Sequence, residues 1–513
     1  MTLGFTKRSA WRYSLCATAL FTAMPVLAAA DHGDAPVTEA ELRTDIAYLA
    51  SDALEGRYPG TQGETLAVHY IAQQLAAAGF VGAADANGGW YQPVPLVELI
   101  PAPGHAQFHR PDGSPVVISD IALRAPGGPA SIADVPMIYV GHGVDADGHV
   151  IADVRGKVAL VLMADREGEG SLNLRDRREA LIVAGARATL IIPGASIAFS
   201  GLAQGFNVTR PQLVSRLSRA EVEGVVSGTE ANRLLAAGGL DADAVREAAA
   251  ASDYAGAPLN LTATLSATTA RRSYNSYNVV ARLPGRRAAD GVVALMGHWD
   301  HLGICRPEGA ADRICNGAVD NASGIAVLLA VARRLGTGAR IDRDVMIVAT
   351  TAEEQGLLGA YHFAASPPVP LDGITVLLNV DTVAIAPRHA PMAMVGRGAS
   401  PLDAEFDAVA RASGRVIDTD LDANAFIRRQ DGWALTQRGV PSHMAGGSFS
   451  DMPALEAYLG GDYHTPNDEL TDETPLGGAA DDADLHVRLT RHFASIAAHP
   501  QQTRTLPPTA QPH

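Results

Sequence analysis

Acidic and imidazole side chains recur in short motifs between residues 298 and 464. His298 and Asp300 lie in Gly297-His298-Trp299-Asp300-His301, and Asp320 in Asn316-Gly317-Ala318-Val319-Asp320-Asn321-Ala322-Ser323-Gly324. Glu353 and Glu354 are adjacent, Asp381 follows Asn379-Val380, and His464 opens His464-Thr465-Pro466-Asn467-Asp468. A mixed set of imidazoles and carboxylates suits zinc, and a carboxylate shared by two cations lets them sit about 3.5 to 4 Å apart. Such a pair lowers the pKa of a bound water towards roughly 7 and polarises a scissile carbonyl. A carboxylate outside the coordination shell must then accept the water's proton and deliver it to the leaving group. Neighbours on an extended segment point in opposite directions, so Glu353 and Glu354 can divide metal binding and proton transfer between them. Any one of these residues alone reads as an ordinary loop residue; the ordered set is what points to a metal-dependent hydrolase.

The elements that must position these residues alternate along the chain. Val292 to Met296, Asp344 to Ala349 and Ile374 to Leu378 read as apolar strands, and Ala322 to Leu335 as a helix. Every motif follows one of these strands or sits in a turn, that of Asp320 lying just before a helix. The pattern predicts an α/β fold with a mixed, mostly parallel central sheet flanked by helices, and ligands gather at the carboxyl ends of strands in such sheets. Upstream, Glu39 to Leu54 and Glu64 to Ala78 carry apolar residues at helical spacing, with Arg57-Tyr58-Pro59-Gly60 as a turn between them. From about Gly127 to Ser266 short strands and helices alternate in a different texture, which predicts a smaller inserted α/β or β-rich lobe.

Taken together, residues 274 to 470 resemble the co-catalytic zinc aminopeptidase family of bacterial leucyl aminopeptidase, aminopeptidase Y and glutamate carboxypeptidase. The stretches Gly-His-Trp-Asp-His at 297, Gly-Ala-Val-Asp-Asn-Ala-Ser-Gly at 317, Thr-Ala-Glu-Glu-Gln-Gly-Leu-Leu-Gly at 351, Asn-Val-Asp at 379 and Tyr-His-Thr-Pro-Asn-Asp at 463 carry the resemblance. It implies a zinc exopeptidase fold binding two zinc ions through His298, Asp320, Glu354, Asp381 and His464. Asp320 would bridge, with Glu354 and His464 completing one site and His298 and Asp381 the other. It further implies that Glu353 is the general base for a dizinc-bound hydroxide, that Asp300 orients His298, and that the Asp320-Asn321 peptide is cis. Ser450-Asp451-Met452 departs from the family pattern, where histidine is common third, and this bears on pocket shape. His301 reads as a loop histidine and Trp299 as packing. Residues 31–126 and 269–500 are expected to form the catalytic domain, and 127–268 are similar to an inserted protease-associated domain.

Lys7, Arg8 and Arg12, an apolar run from Tyr13 to Leu27 and Ala28-Ala29-Ala30 have the order of a secretory signal peptide over residues 1–30. This predicts export to the periplasm or the extracellular space. Its removal takes away three cations and no acids, shifting the formal charge from −16 to −19. A chain this acidic repels nucleic acid and anionic membrane surfaces, and no other apolar stretch is long enough for stable membrane insertion. The expected partners are peptide substrates. Cys305 and Cys315, the cysteines left after cleavage, form a disulfide or remain independent thiols, with an oxidising compartment favouring the bond. The polar, proline-rich residues 501–513 are expected to be a disordered tail.

Three other functions compete with an aminopeptidase. A carboxypeptidase or dipeptidase would use the same metals, but would need arginines for the terminal carboxylate. Glutaminyl cyclisation fits less well with two complete metal sets. A metal-free binding protein is disfavoured by the retention of all five ligands and Glu353.

Overall fold

The computed structural model describes residues 35–164, 173–194 and 197–500. The expected signal peptide and C-terminal tail lie outside the described residues. The main sheet is mixed. Its strands run Ala393–Val395, Ser442–Gly446, Ile374–Asn379, Val292–His298, Asp344–Thr350, Thr269–Leu283, Tyr91–Pro101 and Arg210–Leu213, with Val81–Gly82 pairing to one side of Thr269–Leu283. Parallel pairing is confined to the middle, where Val292–His298 lies between Asp344–Thr350 and Ile374–Asn379, and the latter is followed by Ser442–Gly446. Every residue of Val292–His298 and Asp344–Thr350 is buried, as continuous apolar strands covered on both faces require.

On one face, helices Glu39–Leu49, Gln62–Ala77, Gly324–Thr337 and Leu476–Ala494 close a core that includes Leu42, Ile71, Leu328 and Leu489. On the other, Leu358–Ala365 and Gly432–Thr436 bury Phe363 and Leu435. Burial of such side chains stabilises at roughly 25 cal/mol per Å² of apolar surface removed from water.

A second sheet has the order Pro115–Val116, His105–His109, Ala257–Ala267, Ala130–Tyr139, Val158–Leu162, Ala188–Ile192, Val222–Val226 and Ile121–Arg124. It therefore takes in three strands that precede Gly127, where the texture of the sequence changes. Conversely, Arg210–Leu213 from the lobe pairs with Tyr91–Pro101 of the main sheet. The chain's exit into the lobe and its return run side by side, since Thr269–Leu283 pairs with Tyr91–Pro101 from Thr269↔Pro101 to Val279↔Tyr91.

Two local differences bear on the site. The first helix ends at Leu49, not Leu54, and is followed by a 3₁₀ segment Asp52–Arg57 in which Glu55, Gly56 and Arg57 have positive φ. That reversal sends the Arg57 side chain inwards. Cys305 and Cys315 form a disulfide across the small antiparallel ribbon Gly303–Ile304 with Ile314–Cys315.

Two buried histidines set an acid limit on this fold. His486 is fully buried with its Nε2 3.0 Å from the Ala445 carbonyl, and burial pushes its pKa down to about 4. Burial does the same to His443, also to about 4, and Asp403 opposes it only in part. Both folded values lie below an unfolded value of about 6.5. The neutral rings therefore contribute stability that is complete above pH 6.5 and lost as pH falls through 4. Thermal melts should show Tm falling across that window, and a smaller fall in His486→Gln; parallel curves would exclude His486 as a contributor.

Candidate metal centre

The loops leaving the parallel strands meet at one edge of the sheet. Val292–His298 ends on His298 itself, Asp344–Thr350 leads to Glu353 and Glu354, and Ile374–Asn379 leads to Asp381. Asp320 enters from the turn before helix Gly324–Thr337, with a cis peptide at Asp320-Asn321. Gly317 opens this turn at φ +61, where a Cβ would lie 2.1 Å from the Asp320 carbonyl oxygen and 2.5 Å from the His301 ring, so only glycine fits. Ala352, Thr382 and His464 also have positive φ, each at or beside one of these side chains. Strained backbone of this kind concentrates where surrounding structure holds it for function.

The side chains close around Asp320. His298 Nε2 is 3.2 Å from Asp320 Oδ1 and 3.5 Å from Asp381 Oδ1. His464 Nε2 is 3.3 Å from Asp320 Oδ2 and 2.8 Å from Glu354 Oε2. The two oxygens of one carboxylate thus face two separate groups of potential ligands. Glu353 lines the adjoining cavity together with His298, Asp320 and Asp381.

Two readings from sequence change here. His301 is a loop histidine turned inwards: it is fully buried, with Nδ1 2.6 Å from Glu354 Oε1 and 3.8 Å from Asp320 Oδ2. Its neighbourhood in the motif was visible, but the inward turn of the loop was not. Asp300 meets His298 differently from expectation, because His298 Nδ1 pairs at 3.1 Å with the Asp300 main-chain oxygen, while the carboxylate stands at 3.9 Å. Asp300 Oδ1 accepts the Glu353 N–H at 3.1 Å instead, coupling the two loops. Trp299 is packed, its Nε1 donating to the Tyr277 carbonyl at 3.0 Å.

Three further residues support the centre, of which only Asp468 stands in one of the quoted motifs. Arg57, fully buried, donates to the carbonyls of Trp299 at 2.7 Å, Leu49 at 2.6 Å, Asn316 at 2.6 Å and Gly317 at 3.0 Å. It therefore ties the His298 loop to the Asp320 turn. Asp468 accepts the N–H groups of Val319 at 2.8 Å and Asp320 at 3.1 Å, and the Tyr458 hydroxyl at 2.9 Å. Asp431 is buried against the Thr350 hydroxyl, and burial lifts its pKa to about 6. Arg57→Met would leave four carbonyls without their donor, costing on the order of 3 kcal/mol. We expect a lower urea midpoint and reduced metal retention; an unchanged midpoint would remove Arg57 from this role.

Electrostatics at the centre are dominated by acids. Burial, reinforced by Glu354, Asp431 and Asp381 against the opposing pull of His298, holds the Glu353 carboxyl well above its ordinary range. Burial lifts Asp300 to about 8. Asp320 is held well below its usual value because hydrogen bonds from His298 and His464 outweigh its burial. Among the described residues Asp300 Oδ2 and His301 Nε2 are buried without a hydrogen-bond partner, while His301 Nδ1 and His464 Nε2 crowd against the two oxygens of Glu354. Imidazole and carboxylate atoms crowded together in this way, amid excess negative charge, fit divalent cations.

Residues 278–483 match the model of peptidase family M28. The matched stretch contains His298, Asp300, Asp320, Glu353, Glu354, Asp381 and His464. The chain is 30% identical over 241 residues to the probable lipoprotein aminopeptidase LpqL of Mycobacterium tuberculosis (strain ATCC 25618 / H37Rv); the alignment covers 42% of this chain and 45% of that protein, so the chain matches less than half the length of that relative. The fold is similar to that of an aminopeptidase from Aneurinibacillus sp. strain AM-1, with a TM-score of 0.53 and 20% identity over 93% of this chain and 98% of that one.

Beside the acids the cavity is apolar. Phe426, Met444, Phe449, Leu455, Leu459 and Tyr463 line it, and Arg429 joins them. Nothing in the spacing of these residues marked them from sequence. Only the departure at Ser450-Asp451-Met452, between Phe449 and Leu455, pointed to this wall.

Proposed function

We propose that this protein is an exported zinc-dependent aminopeptidase that hydrolyses the amino-terminal peptide bond of peptides. The observation that carries the reading is Asp320, whose Oδ1 faces His298 while its Oδ2 faces His464. On this reading His298, Asp320 and Asp381 hold one zinc ion and Asp320, Glu354 and His464 the other. Bound there, the two ions supply Lewis acidity to the attacking water and the scissile carbonyl.

The chain's own residues do the rest. Glu353, whose raised proton affinity suits a base, takes the water's proton and returns it to the leaving amine. Asp300 steadies the Glu353 backbone and, through its carbonyl, the His298 ring. The wall of Phe426, Met444, Phe449 and Leu455 receives an apolar first side chain. The M28 match and the aminopeptidase named as a relative support the reaction class. We further propose that the second sheet forms a protease-associated-like lobe. Export is supported by the signal-like first thirty residues and by the word lipoprotein in the relative's name. Among the described residues, no helix is long and apolar enough to cross a membrane.

A carboxypeptidase or dipeptidase is the second reading, favoured by Arg429 in the cavity wall, since a guanidinium is the natural partner of a terminal carboxylate. Peptides with free and with acetylated amino ends, assayed side by side, separate the two. Hydrolysis only of the free-amine set, best with leucine, methionine or phenylalanine first, is expected. Equal cleavage of acetylated peptides, abolished by Arg429→Met, would establish the second reading instead.

A further inference from the structure

Glu405, His492 and His499 form a cluster apart from the centre described above, and none of them lines its cavity. Glu405 comes from helix Asp403–Ala412, His492 from the last turn of helix Leu476–Ala494, and His499 from the segment after that helix. His492 Nε2 and His499 Nδ1 each lie 2.8 Å from the same oxygen, Glu405 Oε2. The two rings therefore aim at a single point. Phe493 stands edge-on to both rings at 5.1 Å and backs them from within. Exposure rises from 8% for the His499 side chain to 23% for His492 and 31% for Glu405, so the carboxylate occupies the solvent side.

The geometry points to a third metal site, holding one divalent transition ion of the zinc, nickel or copper class through His492, His499 and Glu405. Two imidazoles and a carboxylate are a donor set those ions favour. Metal–nitrogen bonds of about 2.1 Å in a tetrahedron put neighbouring ligand atoms about 3.4 Å apart. A short outward shift of Glu405, whose side chain is 31% exposed, would turn the 2.8 Å contacts into such a set. The same separations, 2.8 to 3.5 Å, hold among the ligands proposed around Asp320. Bound metal would fasten the segment after the last helix to helix Asp403–Ala412, a structural role with a coordination position left for water.

The site is tested on the full mature chain, stripped with a chelator and re-equilibrated with zinc at neutral pH. Ions per chain are counted in the parent, in Glu405→Gln and in His492→Gln/His499→Gln. The parent is expected to hold one ion more than either variant, with peptidase activity unchanged. Equal counts in parent and folded variants would overturn the site and leave only a hydrogen-bonded clasp. Should the variants not fold, copper(II) bound to the parent decides by electron paramagnetic resonance. His301 and His464 both meet Glu354, so the parent is read beside His464→Ala, which leaves one histidine in each group around Asp320: a two-nitrogen splitting that persists there belongs to the new site, and a pattern of single nitrogens alone would refute it. Loss of the reading around Asp320 would not alter this outcome.

Discussion

Glu353→Gln should lower kcat by about 10³-fold while the protein keeps its full complement of metal. The substitution preserves size and removes only the ability to accept a proton. Glu353 lines the cavity beside His298, Asp320 and Asp381, but its neighbour Glu354 is the one in contact with His464. Metal content should therefore be indifferent to the change, and KM should move little, because the loss falls on the transition state and not on substrate binding. Kinetics on an aminoacyl reporter together with zinc per chain check the expectation. A rate near that of the parent would reject Glu353 as base, and a parallel loss of zinc would make it a ligand.

Asp320→Asn should have a still broader effect, with loss of metal from both groups of ligands and activity near background. The carboxylate contributes one oxygen to each group, so replacing one oxygen by an amide nitrogen breaks one ligand outright and removes the charge that both share. His464→Ala is the necessary contrast, since it touches only the Asp320 Oδ2 side and should cost one ion. Zinc per chain in the two variants, with circular dichroism to establish folding, separates a bridge from two independent sites. Equal losses in both would remove the bridge.

What the chain determined by itself is the catalytic sheet and the residue types at its edge. Val292–His298 and Asp344–Thr350 are continuous apolar runs because both faces are buried, and such runs stand out against any polar loop. His298, Glu354 and Asp381 were legible because each ends such a strand or follows it closely, so local geometry alone brings them to its end. Asp320 and His464 were legible through the glycine and proline turns that hold them.

Only the tertiary structure decided the roles that depend on distant backbone. Arg57 matters through carbonyls of residues 49, 299, 316 and 317, and a carbonyl belongs to every residue, so no side-chain pattern announces it. His301 became a partner of Glu354 once its loop turned inwards. The apolar cavity wall is assembled from residues 426 to 463, each unremarkable alone. The lobe's first strands, His105–His109 and Pro115–Val116, are too short to show a period and gain their identity by pairing with Ala257–Ala267 and with each other. Periodicity and motif report what a segment does with its nearest neighbours; hydrogen bonds and burial between segments far apart in the chain exist only after it has folded.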